Sequence, residues 1–244
     1  MPRNVTEAVD PAFVEDDELS RFYAHFANGL HALAQPLTVL RSTVATSITP
    51  GLSAADQRKY LDTSVQQIEH ACHLFQCLQD LVAAVQIPAQ CGPVALANLL
   101  RTVGEVQKDL LQESGIDIKV VAPENLRPAL GDMERILQAL FAALKIAASV
   151  SSPGDIIELL VMSRNGEVEL TIQNGRTHGK YLKSSARLSL ALAEANMRSQ
   201  QGGFECVEDP FRVTLTLPVQ DIDQDIDPAK NREIPQGSRT HRVH

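Results

Sequence analysis

His31-Ala32-Leu33-Ala34-Gln35-Pro36-Leu37-Thr38 is the stretch on which the reading of this chain turns. It lies in a run whose large apolar residues, Leu19, Phe22, Phe26, Leu30, Leu33, Leu37, Leu40, Val44 and Ile48, recur at threes and fours, the period of an amphipathic helix. Pro36 interrupts that helix, and an interior proline removes one backbone hydrogen bond and kinks the chain. His31 follows Leu30 by one position, so its imidazole is expected on the flank of the apolar seam, toward solvent. Gln35 stands one helical turn further along the same face. A histidine side chain, with an ordinary pKa of ~6.5, is a competent nucleophile near neutral pH and can attack a phosphoryl group to give a phosphoramidate. A carboxamide one turn away is placed to orient a water or a phosphoryl oxygen.

Working outward, Thr49-Pro50-Gly51 supplies a turn, and Ser53 with Asp56 resembles a capping box for a second helix. That helix carries Leu61, Val65, Ile68, Cys72, Phe75, Leu78, Val82 and Val85 in a near-heptad rhythm, the mark of a long seam packed against other helices. A hairpin of two long helices cannot bury such a seam alone. Pairing with a second copy into a homodimeric four-helix bundle is the expected outcome, with closure on the rest of the same chain as the alternative. Residues 87–93 hold two prolines and a glycine and mark a linker. Beyond it the pattern is α/β: a helix over 96–111, a strand over 116–121, a helix over 133–148, strands over 156–162 and 168–172 around Asn165-Gly166, a loop over 174–179, a helix over 182–197, and strands over 204–207 and 211–217. A layer of helices on one mixed sheet accounts for it, and the whole is of the α+β class. The expected organisation is a flexible arm over 1–16, the hairpin over 17–86, the α/β domain over 93–219, and a disordered tail over 220–244, where Gln-Asp-Ile-Asp occurs twice.

Composition narrows the function classes. The 244 residues include 22 Lys and Arg against 30 Asp and Glu, a formal charge of −8, with 44% hydrophobic residues; this is the profile of a globular, mildly acidic protein. A net negative surface repels phosphate backbones and acidic lipid, so neither nucleic acid nor a membrane is an expected partner. The longest apolar-rich stretch, 136–150, holds Gln138 and Lys145 and falls short of the ~20 residues a bilayer span needs. The N-terminus lacks the apolar core of a secretion signal, which points to the cytoplasm. Four cysteines, at 72, 77, 91 and 206, form no C-x-x-C pair and read as reduced thiols packed in the fold.

The His31 stretch resembles the phosphoacceptor motif of two-component histidine kinases, which reads His, acidic, two variable residues, Asn/Gln/Thr/Arg, Pro, Leu; His31, Gln35, Pro36 and Leu37 match it. The resemblance continues into the second domain, where 93–100, Ser114-Gly115-Ile116 and 131–144 look like the start of that family's ATP-binding domain, and it covers roughly residues 18–219. It implies a dimeric four-helix bundle followed by a Bergerat-like α/β sandwich. The departures are all on the ATP side. The acid that assists autophosphorylation in the family is Ala32; the asparagines that hold magnesium give way to Lys145 and Ile146; the adenine-binding acid falls at Gln173-Asn174-Gly175-Arg176; and the glycine-rich phosphate element is replaced around Arg187-Leu188-Ser189-Leu190. This combination resembles the bacterial histidine phosphotransferases, dimeric relay proteins that move phosphate between receiver aspartates without using ATP. The resemblance implies His31 as phosphoacceptor, Gln35 as its helper, and a receiver-docking surface of Ala27, Asn28, Ala34 and Thr38. It implies no cofactor on this chain, with ATP and magnesium binding disfavoured and magnesium carried by the response-regulator receiver. Two other readings compete: an ATP-dependent kinase with a divergent nucleotide site, and a non-catalytic dimeric scaffold. Outside the motif, His25, His70 and His73 read as exposed polar residues, and Lys145 and Arg187 as relics of a filled pocket in preference to an anion site.

Overall fold

The computed structural model describes residues 11–175 and 182–219. Residues 1–10, most of the expected loop after residue 174, and the expected tail from 220 lie outside the described residues. Two long helices open the chain, α1 (Pro11–Ser47) and α2 (Ala54–Gln86). The first is already helical at Pro11, ahead of the expected residue 17. It runs through Pro36, which is buried. Ser53 caps α2 as expected: its Oγ accepts from the Asp56 amide at 3.2 Å and donates to the Asp56 carboxylate at 2.7 Å.

The single apolar seam expected on the hairpin resolves into two faces within one chain. Within the chain, α1 meets α2 largely through small side chains, with Gly29, Ala32, Pro36 and Thr43 buried on one helix and Ser64, Ala71 and Ala84 on the other, beside Leu74, Cys77, Leu78 and Leu81. Of the large periodic residues, Leu78 belongs to this contact and Phe22, Phe26 and Leu33 pack against it. Leu30, Leu37 and Val44 of α1 and Leu61, Val65, Ile68 and Phe75 of α2 lie outside it and are each between 44% and 57% exposed. The large apolar residues thus divide between the inner contact and an outer stripe, and small residues let the two backbones approach.

The second domain contains α3 (Leu96–Glu113), α4 (Met133–Val150) and α5 (Ser184–Arg198), with strands β1 (Gly92–Val94), β2 (Asp117–Val121), β3 (Ala129–Gly131), β4 (Ile156–Arg164), β5 (Glu167–Asn174), β6 (Gly203–Glu208) and β7 (Phe211–Pro218). Five strands form one sheet in the order β2-β4-β5-β7-β6, parallel between β2 and β4 and antiparallel elsewhere. Asn165 and Gly166, at φ 54° and 79°, make the tight β4–β5 turn that their sequence announced. Gly92 and Pro93, expected within the linker, instead pair with Val94 as β1 against β3 in a separate two-stranded sheet. The helices cover the inner face of the large sheet, where Ile136, Leu140, Leu144, Ile157, Leu159, Leu170, Ile172 and Phe211 form the core.

Apolar and polar contacts fix this domain on the hairpin. Leu188 of α5 enters an apolar cluster with Ala32, Leu74, Cys77, Leu78 and Leu81. Gly29 makes room for it: a Cβ there would lie 2.5 Å from Leu78 Cδ2 and 2.9 Å from Leu188 Cδ1. At the far end of α2, Arg135 of α4 donates through Nη1 to the Ala84 carbonyl at 3.1 Å and to Ser199 Oγ, and through Nη2 to the Ile87 carbonyl. A guanidinium at a helix C-terminus satisfies carbonyls that have no partner in the helix and opposes the negative end of its dipole.

Candidate functional site: a histidine face on the first helix

α1 presents three faces. With ~100° between successive residues, Ala32, Pro36 and Thr43 turn inward, Leu30, Leu37 and Val44 form the outer apolar stripe, and Asn28, His31, Gln35 and Thr38 share the flank between them. All four flank residues are exposed, as are Ala27 and Ala34, which lie between the flank and the stripe. The expected placement of His31 beside the apolar face and in solvent is what the helix shows. Thr38 Oγ1 donates to the Ala34 carbonyl at 2.8 Å, so that hydroxyl is held by its own helix. His31 and Gln35 are one turn apart with nothing between them and solvent. An imidazole so displayed is reachable by a large partner and not only by a small molecule.

The position after the histidine faces the other way. Ala32 is 4% exposed and packs in the cluster that holds Leu188. A carboxylate there would be buried among apolar side chains, a placement that is costly without a partner. Leu188, in the stretch expected to replace a glycine-rich phosphate element, is 3% exposed and serves as packing. Asn174, at the end of β5, is buried and donates through Nδ2 to Ser151 Oγ at the end of α4. Arg187 is exposed and pairs with Glu208 at 3.0 Å.

Lys145 is placed otherwise than expected. It lines an open cavity of about 630 Å³ with His70 and His73 of α2 and Lys183 and Ser185 at the start of α5. The pocket is therefore not filled, and the two α2 histidines read as plain surface residues belong to its wall. Burial, then Lys145 and His70, push the His73 pKa below its ordinary value. His25, also read as exposed, is half-buried and meets Glu194 of α5 at 3.6 Å. The bond to His25, together with Arg198 at 2.8 Å and against the opposing effect of burial, holds the Glu194 carboxyl at about 2. Neither contact has a local signal, because each joins residues far apart in sequence. Among the described residues no group of three His, Cys, Asp or Glu is gathered as a metal site, and no helix is long and apolar enough to cross a membrane.

No family model matches the chain, and no curated protein matches it. Solved structures do. The chain is similar to the Acinetobacter baumannii histidine kinase AdeS, with a TM-score of 0.64 and 17% identity over 78% of this chain and 98% of that one. It is similar to the histidine kinase ThkA, solved in complex with the response regulator protein TrrA, with a TM-score of 0.66 and 14% identity over 88% of this chain and 68% of that one. Full-length ShkA, in complex with AMPPNP, gives 0.52 and 17% over 87% and 47%. At such identities the likeness is one of fold. The chain has the fold of a histidine kinase core, a helical hairpin followed by an α/β domain of the ATPase type.

Proposed function

We propose that this chain is a two-component phosphorelay protein in which His31 exchanges a phosphoryl group with receiver aspartates and ATP takes no part. The observation that carries the reading is the contrast between the two sides of α1: His31 stands exposed among Asn28, Gln35 and Thr38, while Ala32 is buried under Leu188 of α5. The acceptor face is open, and two positions that a kinase would use in transfer from ATP, Ala32 and Leu188, are given over to packing. In the forward step the lone pair of a neutral imidazole nitrogen attacks phosphorus, an N–P bond forms, and the receiver's aspartyl O–P bond breaks to release a carboxylate. The proton on the other ring nitrogen stays in place. The return step reverses these changes on a second receiver, and magnesium is supplied by the receiver. Orientation of the two partners accounts for most of the rate, since the chemistry needs positioning more than covalent help.

The outer stripe supports a homodimer as the working form, because exposed leucine, isoleucine and phenylalanine at heptad spacing on both helices make a surface that a second hairpin buries. The pairing of ThkA with TrrA supports a receiver as the partner, since that complex is formed by a protein of the same fold.

Purified receivers of the same organism, radiolabelled on aspartate with a small phosphodonor, provide the test. Wild type is expected to take up label and His31→Ala to take up none while keeping the same size in solution. In parallel, labelled ATP with magnesium is expected to leave wild type unlabelled. Label on His31 from ATP would replace this reading with an ATP-dependent kinase, and failure of every receiver to label wild type would leave a scaffold.

A further inference from the structure

We infer that the cavity between α2, α4 and the start of α5 is a metal-independent binding site for a small multivalent anion of the phosphate or diphosphate class, gripped from both the hairpin and the α/β domain. Its wall brings together Lys145, Lys183, His70 and His73, with Ser149, Ser185 and Ser189 between them, and among the described lining residues there is no carboxylate. On a chain of formal charge −8 such a concentration of positive groups is against the average. The other arrangement available to surface cations is seen nearby: Arg101, Lys119, Arg135, Arg187 and Arg198 each have a carboxylate within 4.0 Å. Lys145 and Lys183 have none among the described residues.

The groups also sense one another. Burial first, and then the charges of Lys145 and His70 across the cavity, disfavour protonation of His73, whose Nε2 also meets the Cys77 thiol at 3.9 Å. An anion entering that space reverses the penalty, and the histidine gains a proton as it binds. Lys183 is also the residue capping α5, and it makes no side-chain cap bond there. Ile146, Val150 and Leu182 give the remaining wall an apolar lining on which an organic body can rest. A volume of about 630 Å³ lies within the ~300–1,000 Å³ usual for small-molecule sites. Lysine in place of metal-holding side chains neutralises phosphate directly and repels a divalent cation, so the ligand binds without magnesium.

Calorimetric titration of the full chain with inorganic pyrophosphate, in the presence of EDTA, tests this. Saturable binding is expected in wild type, weakened about tenfold or more in Lys145→Gln and in Lys183→Gln, each a loss of about 1.4 kcal/mol or more. Both lysines are exposed, and unchanged thermal melts will show that the variants fold. Repeating the titration above neutral pH in two buffers of different ionisation heat is expected to reveal proton uptake in wild type and its loss in His73→Gln. Absence of saturable binding in wild type, or wild-type affinity retained in both lysine variants, overturns the proposal. So does tighter binding of ATP with magnesium than of pyrophosphate, which would return the cavity to nucleotide use. The labelling of His31 by receivers is independent of each of these outcomes.

Discussion

Glu194 shows how much of this molecule is decided by single charged groups at the join between its two parts. Its carboxyl is held at about 2, against 4.5 for a free side chain, chiefly by the bond to His25. A folded-state pKa below the unfolded one adds stability above pH 4.5, which is lost as the pH falls from there through about 2. Solvent reaches this pair, so about 1 kcal/mol is a realistic share once screening is allowed for. Glu194→Gln is therefore expected to lower the urea midpoint at neutral pH, with the gap to wild type closing as both are acidified. A gap that stays constant with pH would assign the loss to packing. His31 was placed correctly from sequence because its position depends on a neighbour one residue away. His25 was not, because its partner sits on a helix that sequence alone does not bring near.

At the level of elements, periodicity located all five helices and the main sheet strands, since each repeats its apolar residues often enough to declare a period. β1 and β3 are three residues each and show no period at all. The hairpin is a subtler case. Its large residues divide between an outer stripe and an inner cluster around Leu74, Leu78 and Leu81, and the close approach inside the chain also uses glycine, alanine and serine, which hydropathy patterns discount. The outer stripe carries its own prediction. Ile68→Glu places a charge in the middle of it and is expected to convert a dimer into a monomer by light scattering, with helix content unchanged, because Ile68 makes no part of the buried cluster within the chain. A wild type that is already monomeric at high concentration would remove the stripe's assigned role.

Across the whole molecule, the α/β domain is tied to the hairpin by the Leu188 contact near Gly29, the Glu194–His25 pair and the Arg135 clamp on the last turn of α2. Hydrogen bonds from a charged donor are worth about 1.5–3 kcal/mol each, so Arg135→Ala is expected to destabilise the protein by about 2 kcal/mol. Faster amide hydrogen exchange at the C-terminal end of α2 is the local sign to measure. The cavity that unites His73, Lys145 and Lys183 belongs to this scale also, since three distant segments compose it and no one of them hints at the others. The open flank of α1 has a kinetic consequence for the proposed relay. One landing place per chain admits one visitor at a time, so giver and taker must alternate, and spent giver that lingers competes with the taker. Throughput is then governed by how quickly each guest departs, and an excess of unphosphorylated regulator becomes a brake on the traffic it serves.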